Sequence, residues 1–142
     1  MRYLESEQKL GKVIPNIALL LEQNANRFSD KIVFQERKHE KYFGITWKKL
    51  FEDILNISAN LRKFGFQKGD KMVVYSPNRL EMLELELAVM ASGGIAVPIF
   101  AYFNRGTAEL LIQHSDAKFL AVAGELQLIR INPELPLKEI FV

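Results

Sequence analysis

The sequence predicts an α/β fold: a parallel βαβαβ unit preceded by a helix, a hairpin and a second helix. Three observations carry this reading. Between residues 14 and 63, apolar side chains recur at helical spacing in two long stretches. From residue 71 the pattern changes to unbroken apolar runs, of which Met72, Val73, Val74 and Tyr75 are the clearest. Such runs suit strands covered on both faces, as in a parallel sheet. Finally, strand-like and helix-like stretches alternate about every 20 residues, the rhythm of βαβ units.

The elements follow in order. Ile14, Ile17, Ala18, Leu21, Ala25 and Phe28 share one face of a helix over 14–28. "DKIVFQER" and "KYFGITW", separated by the charged turn "RKHEK", form an antiparallel hairpin. Residues 47–63 are the clearest helix. Trp47, Leu50, Phe51, Ile54, Leu55, Ser58 and Leu61 lie on one side, and charged residues lie mostly on the other. Thr46 is its natural N-cap and Gly65 its left-handed stop. After the turn "QKGD", strands are expected near 72–75, 95–99 and 118–123. Helices near 79–92 and 107–115 join them, and "PLKEIFV" adds one more strand. Residues 1–70 thus form a helix–hairpin–helix part and residues 71–142 the βαβαβ unit.

Composition narrows the chemistry. The chain has 142 residues, 49% hydrophobic and 25% charged, with a net charge of +2. That charge is small and evenly spread, so nucleic acid is not an expected partner. With no cysteine, disulfides, thiolate metal sites and a cysteine nucleophile are excluded. Two histidines, His39 and His114, do not make a multi-histidine zinc site. The start "MRYLESEQKLGK" is polar and lacks the apolar core of a signal peptide. No apolar run approaches the roughly 18–20 residues of a membrane span. An integral membrane segment is therefore not expected, and the expected location is cytoplasmic.

The stretch "VVYSPNRLEMLELEL" runs from strand to turn to helix, the place where many α/β proteins hold a phosphate. A phosphate cradle needs glycine, because the backbone must approach the anion closely. The turn Ser76–Pro77–Asn78 has none. Its chemistry is capping: Asn78 caps the helix and Glu81 reaches back. The helix is apolar nearly all round from Leu83 to Ala91, which predicts burial between layers. Glu81, Glu84 and Glu86 form its solvated edge. Gly93 and Gly94 follow the helix and are expected to end it. His39 is expected in solvent at the hairpin turn, and His114 near a helix C-terminus, where a partly charged imidazole is favourable. No catalytic, cofactor-binding or metal-binding residue is assigned, because neither a glycine-rich dinucleotide motif nor a phosphate-binding loop occurs.

The order of short motifs resembles the N-terminal part of adenylate-forming enzymes, the acyl-CoA synthetase (AMP-binding) family. The matching residues are Ile45, Thr46, Trp47, Leu50, Leu61, Gly65, Lys68, Gly69, Asp70, Val73, Asn78, Glu81, Gly93, Val97 and Pro98. Glu109, Leu110 and "HSDAKFLAVAGELQL" continue the series, and "GELQLIRINPELPLKEIFV" is most similar to the long-chain fatty acid branch. Lys49 departs from the pattern, standing where the family usually has an acid. The resemblance covers roughly residues 13–142, well under half of a complete enzyme. It implies an N-terminal piece of the acyl-CoA synthetase-like fold. It also implies a two-step, AMP-forming reaction: a carboxylate and ATP give an acyl-adenylate and pyrophosphate, and coenzyme A then displaces AMP. ATP, Mg and coenzyme A are thus the cofactors implied for a full-length enzyme. The family's Ser/Thr/Gly-rich phosphate loop and its late lysine do not occur in these 142 residues, so this chain alone is expected to be inactive.

Two alternatives stay open: a stand-alone adaptor that kept the scaffold and lost the active site, and an unrelated small-ligand α/β domain. The apolar run Ile99–Phe103 and the apolar end Ile140–Val142 lead to one further expectation. Either the chain self-associates through one of them, or the C-terminal remainder of the enzyme covers them.

Overall fold

The structure, a computed structural model, describes residue 8, residue 11 and residues 13–142. Apart from residues 8 and 11, the polar stretch 1–12 lies outside the described residues. Helix α1 runs Ile17–Phe28, not from residue 14. Pro15 disfavours helical backbone at Ile14, and Asn16 takes the cap, its Oδ1 accepting from the Leu19 N–H at 2.9 Å. Strands β1 (Ile32–Lys38) and β2 (Lys41–Thr46) form the expected antiparallel hairpin. His39 and Glu40 turn it with φ of 47° and 64°, the left-handed pair that a two-residue hairpin turn requires.

Helix α2 spans Trp47–Lys63, and Thr46 caps it, Oγ1 accepting from the Lys49 N–H at 3.2 Å. Gly65, at φ 79°, ends it. The Gly65 N–H donates to Arg62 O at 2.9 Å and the Phe66 N–H to Leu61 O at 3.0 Å, the paired bonds of a Schellman stop. Lys49, standing where the family usually has an acid, pairs with Asp53 one turn on.

Next come β3 (Lys71–Ser76), α3 (Leu80–Ala91), β4 (Ile95–Phe100), α4 (Arg105–Ser115), β5 (Phe119–Val122), a short α5 (Glu125–Leu128) and β6 (Glu139–Phe141). The four strands make one sheet in the order β4-β3-β5-β6, and every pair in it is parallel. Only α5 has no counterpart in the sequence reading. Its four residues are too few for helical periodicity to register.

Strand alternation sorts the core. Val73, Tyr75, Leu120 and Val122 face α4, packing with Ala108 and Ile112, and with Ile131 and Leu135 beyond α5. Met72, Val74, Phe119 and Ala121 face the other way, onto Leu61, Phe66 and Val89. A third cluster joins Leu21, Ile45, Leu50 and Ile54 to Ala88 of α3. Helix α3 therefore touches the sheet on one side and α1 and α2 on the other, which explains why it is apolar nearly all round. Full burial does not follow: only Ala88 and Val89 are buried, and Met90 is 40% exposed.

Candidate functional site

The chain leaves β4, passes over β3 and returns as β5 on its far side, with α3 and α4 on opposite faces. The strand order thus reverses beside β3. In open α/β sheets, ligands sit outside the carboxyl ends of the strands at such a reversal. Here that place is the turn Ser76–Pro77–Asn78–Arg79, the loop already singled out in the sequence.

The turn is not built as expected. Asn78 is exposed and does not cap α3. The N-cap position belongs to Arg79, in extended backbone (φ −157°, ψ 165°), with no side-chain capping bond. Its carbonyl accepts from Leu83 N–H at 3.3 Å, which places the helix one residue later than Asn78 could serve. Glu81 turns to Arg79, whose Nε donates to its Oε2 at 2.8 Å. The guanidinium also donates from Nη1 to Ala123 O at 3.2 Å. Arg79 therefore ties the start of α3 to the chain leaving β5. The Arg79 bond, and next the bond from its own backbone N–H, draw the Glu81 carboxyl down to about 2.

Grooves flank this turn. One of about 260 Å³ lies between the ends of β3 and β5, with Val74, Ser76, Met82, Leu85, Ala121 and Phe141 in its walls. Another, of about 430 Å³, runs from Ser76–Asn78 to Pro98–Tyr102. The walls are mainly apolar, with Arg79 and Glu81 in the first and Asn78 in the second, and no glycine opens the backbone to a phosphate. The Glu81 carboxylate already lies at the α3 N-terminus, where a phosphate would have to sit, so these residues do not fit a triphosphate.

The other sequence candidates scatter. His39 and His114 are both exposed, one in the hairpin turn and the other in the last turn of α4. Gly93 (φ 79°) and Gly94 end α3 through bonds to Met90 O and Val89 O, at 3.0 and 2.9 Å. Glu84 and Glu86 are half-buried instead of solvated. Burial pushes both carboxyls up, and Asp53 beside Glu84 adds to its shift. Among the described residues, no three His, Cys, Asp or Glu side chains could hold a metal ion, and no helix is long and apolar enough to cross a membrane. The residue the sequence reading missed is Arg79; its only signal was its place directly before an apolar helix.

Comparison with known proteins then decides the family. Residues 21–140 match the model of the family described as AMP-binding enzyme. The chain belongs to that family. It is 28% identical over 122 residues to the uncharacterized acyl-CoA ligase YtcI of Bacillus subtilis, covering 86% of this chain and 23% of that protein. It is 30% identical over 106 residues to 4-hydroxybutyrate-CoA ligase 2 of Metallosphaera sedula, covering 73% and 18%. The inhibitor-bound N-terminal domain of FACL13 from Mycobacterium tuberculosis superposes with a TM-score of 0.78 at 20% identity, over 90% of this chain and 33% of that one. The chain thus spans about a fifth of the length of these two curated relatives.

Proposed function

We propose that the chain is the N-terminal scaffold segment of an ATP-dependent, AMP-forming acyl-CoA ligase and that it carries out no chemistry by itself. The family match over residues 21–140 supports the first half. The second half rests on the turn at Ser76–Arg79, which has no glycine and already holds a carboxylate. In the complete ligase, ATP, Mg and coenzyme A would be bound by residues beyond this segment, and no step is assigned to a side chain here. A long-chain acid is our choice of substrate, on the resemblance of residues 124–142 to that branch. Calorimetric titration of the chain with Mg-ATP should be flat. Micromolar binding, or pyrophosphate release with a fatty acid, would overturn the inactivity. The coding frame read past Val142 should enter a Ser/Thr/Gly-rich loop ending in lysine. A stop codon there would favour the adaptor instead.

The same proposal includes cover for the sheet, by self-association or by the rest of the enzyme. The hydrogen-bond pattern favours one edge. The Ile95 N–H donates to Asp70 O at 2.9 Å, so alternation turns Ala96, Pro98 and Phe100 outward on β4. Pro98 has no N–H, and an added strand there would meet a gap in the middle of its ladder. At the other edge the Lys138 N–H donates to Lys118 O at 2.7 Å, which turns the backbone groups of Glu139 and Phe141 outward, where no strand among the described residues pairs with them. Strand addition therefore belongs to β6. At β4, contact falls to the Phe100 and Tyr102 side chains, 60% and 70% exposed.

A further inference from the structure

A third groove, of about 260 Å³, lies between the hairpin and α3, with Phe34, Asn78, Arg79, Met82, Leu83 and Glu86 in its walls. Glu86 is its acid. One carboxylate oxygen, Oε1, is shielded from solvent and meets no hydrogen-bond donor among the described residues. A buried polar atom without a partner is uncommon and costly. Among the described residues, Arg79 in the groove wall and Lys38 on the hairpin are already committed. Arg79 is held by Glu81 and by Ala123 O, and Lys38 pairs with Glu36 at 2.8 Å. Because Glu81 neutralises Arg79, Glu86 is, among the described residues of this groove, the charge left without a partner.

We propose that this groove receives one cationic side chain, a lysine or arginine presented by a partner protein segment, and seats its charge against the Glu86 carboxylate. The walls suit such a guest. Met82 and Leu83 offer apolar surface for its methylene stem. Phe34 adds an aromatic ring to the wall, a surface that attracts cations. The volume matches one long side chain better than a cofactor, since cofactor and drug pockets run to roughly 300–1,000 Å³. Among the described residues no charge offsets the burial that raises the Glu86 carboxyl, which is the state an incoming cation would relieve. This inference stands apart from the ligase reading, since it needs neither ATP nor an acid substrate.

The test uses a pentapeptide, blocked at both ends, with a central lysine flanked by leucines. Its control carries norleucine, which keeps the stem and removes the charge. Binding is followed by two-dimensional NMR of the whole chain. The lysine peptide should bind roughly ten-fold or more tightly than the norleucine peptide, as expected for a charge-assisted bond. It should shift resonances of Phe34, Leu83 and Glu86. Glu86→Gln, with a well-dispersed spectrum showing that it folds, should abolish the preference. Leu83→Lys supplies an ammonium one helical turn from Glu86 and should block the peptide. Equal binding of the two peptides, or a preference that survives Glu86→Gln, would overturn the proposal. So would butylammonium matching the lysine peptide, which would make the guest a free amine and not a protein segment.

Discussion

Replacing Thr46 and Asn78 by alanine, separately, tests the reading of both helix starts in one experiment. Both residues look like caps in the sequence, and only Thr46 acts as one. Its Oγ1 accepts the Lys49 N–H at 3.2 Å, satisfying one of the donors that the first turn of α2 leaves free. Loss of such a cap costs about 0.5–2 kcal/mol. Helix α2 also carries Leu50, Ile54 and Leu61 into two of the three core clusters, so fraying at its start loosens packing as well. With a urea slope of about 2 kcal/mol/M, a loss near 1 kcal/mol moves the unfolding midpoint down by about 0.5 M. Asn78 is exposed, and the cap position of α3 belongs to Arg79 with no side-chain bond. Asn78→Ala should therefore stay within about 0.5 kcal/mol of the parent. Urea unfolding followed by far-UV circular dichroism reads both. An Asn78→Ala loss equal to that of Thr46→Ala would refute the observed start of α3. No loss for Thr46→Ala would refute the cap on α2.

Other outcomes follow from single contacts. Ile54→Ala should lose about 2–5 kcal/mol in the same unfolding assay, because the side chain is 1% exposed at the centre of its cluster. Gly94→Ala should lose about 1–3 kcal/mol, since an added Cβ would meet the Phe66 ring and lie 2.9 Å from Asp70 O. The acids of α3 should respond to pH with opposite signs. Glu81 is depressed to about 2, so its contribution is present above the ordinary carboxylate value and fades as pH falls toward about 2. The pair is partly exposed, so the effect should be no more than about 1 kcal/mol. Glu86 is raised, so the folded state favours its protonated form, and stability contributed at low pH is lost as pH rises through the folded value. Glu86→Gln should therefore raise the neutral-pH midpoint while leaving the acid midpoint nearly unchanged.

The fold was legible wherever a period runs long enough to average over exceptions. Seventeen residues of α2 gave both ends correctly, because Thr46 and Gly65 are local signals with local physics. The parallel strands were legible because unbroken apolar runs have few other uses in a sheet covered on both sides. Helix α1 starts three residues later than apolar spacing through Ile14 suggests, because Pro15 and Asn16 set the boundary. The start of α3 went wrong for a related reason. A capping box is a spacing rule, and the spacing from Asn78 to Glu81 is right. The Glu81 carboxylate, however, is better served by Arg79, a fixed positive charge 2.8 Å away, than by the backbone of Asn78.

The acids of α3 carried a signal in their spacing that the solvated-edge reading passes over. At about 100° per residue, Glu81 and Glu84 lie about 60° apart, whereas Glu86 lies about 140° from Glu81. Three acids so placed cannot share one edge of a helix. Since α3 is wedged between the sheet and α2, acids on different bearings must meet different surroundings. Glu81 meets Arg79, Glu84 meets Asp53 of α2, and Glu86 meets the wall of the hairpin groove. Geometry alone therefore separates the three, and burial ranks them: the exposed acid is neutralised by a neighbour, and the two half-buried acids hold their protons more tightly. What no spacing rule could supply is which of them lacks a counter-charge among the described residues. That depends on where Arg79 and Lys38 spend theirs, and both choices are tertiary: Arg79 reaches across to Ala123 at the end of β5, and Lys38 stays with Glu36 on its own strand.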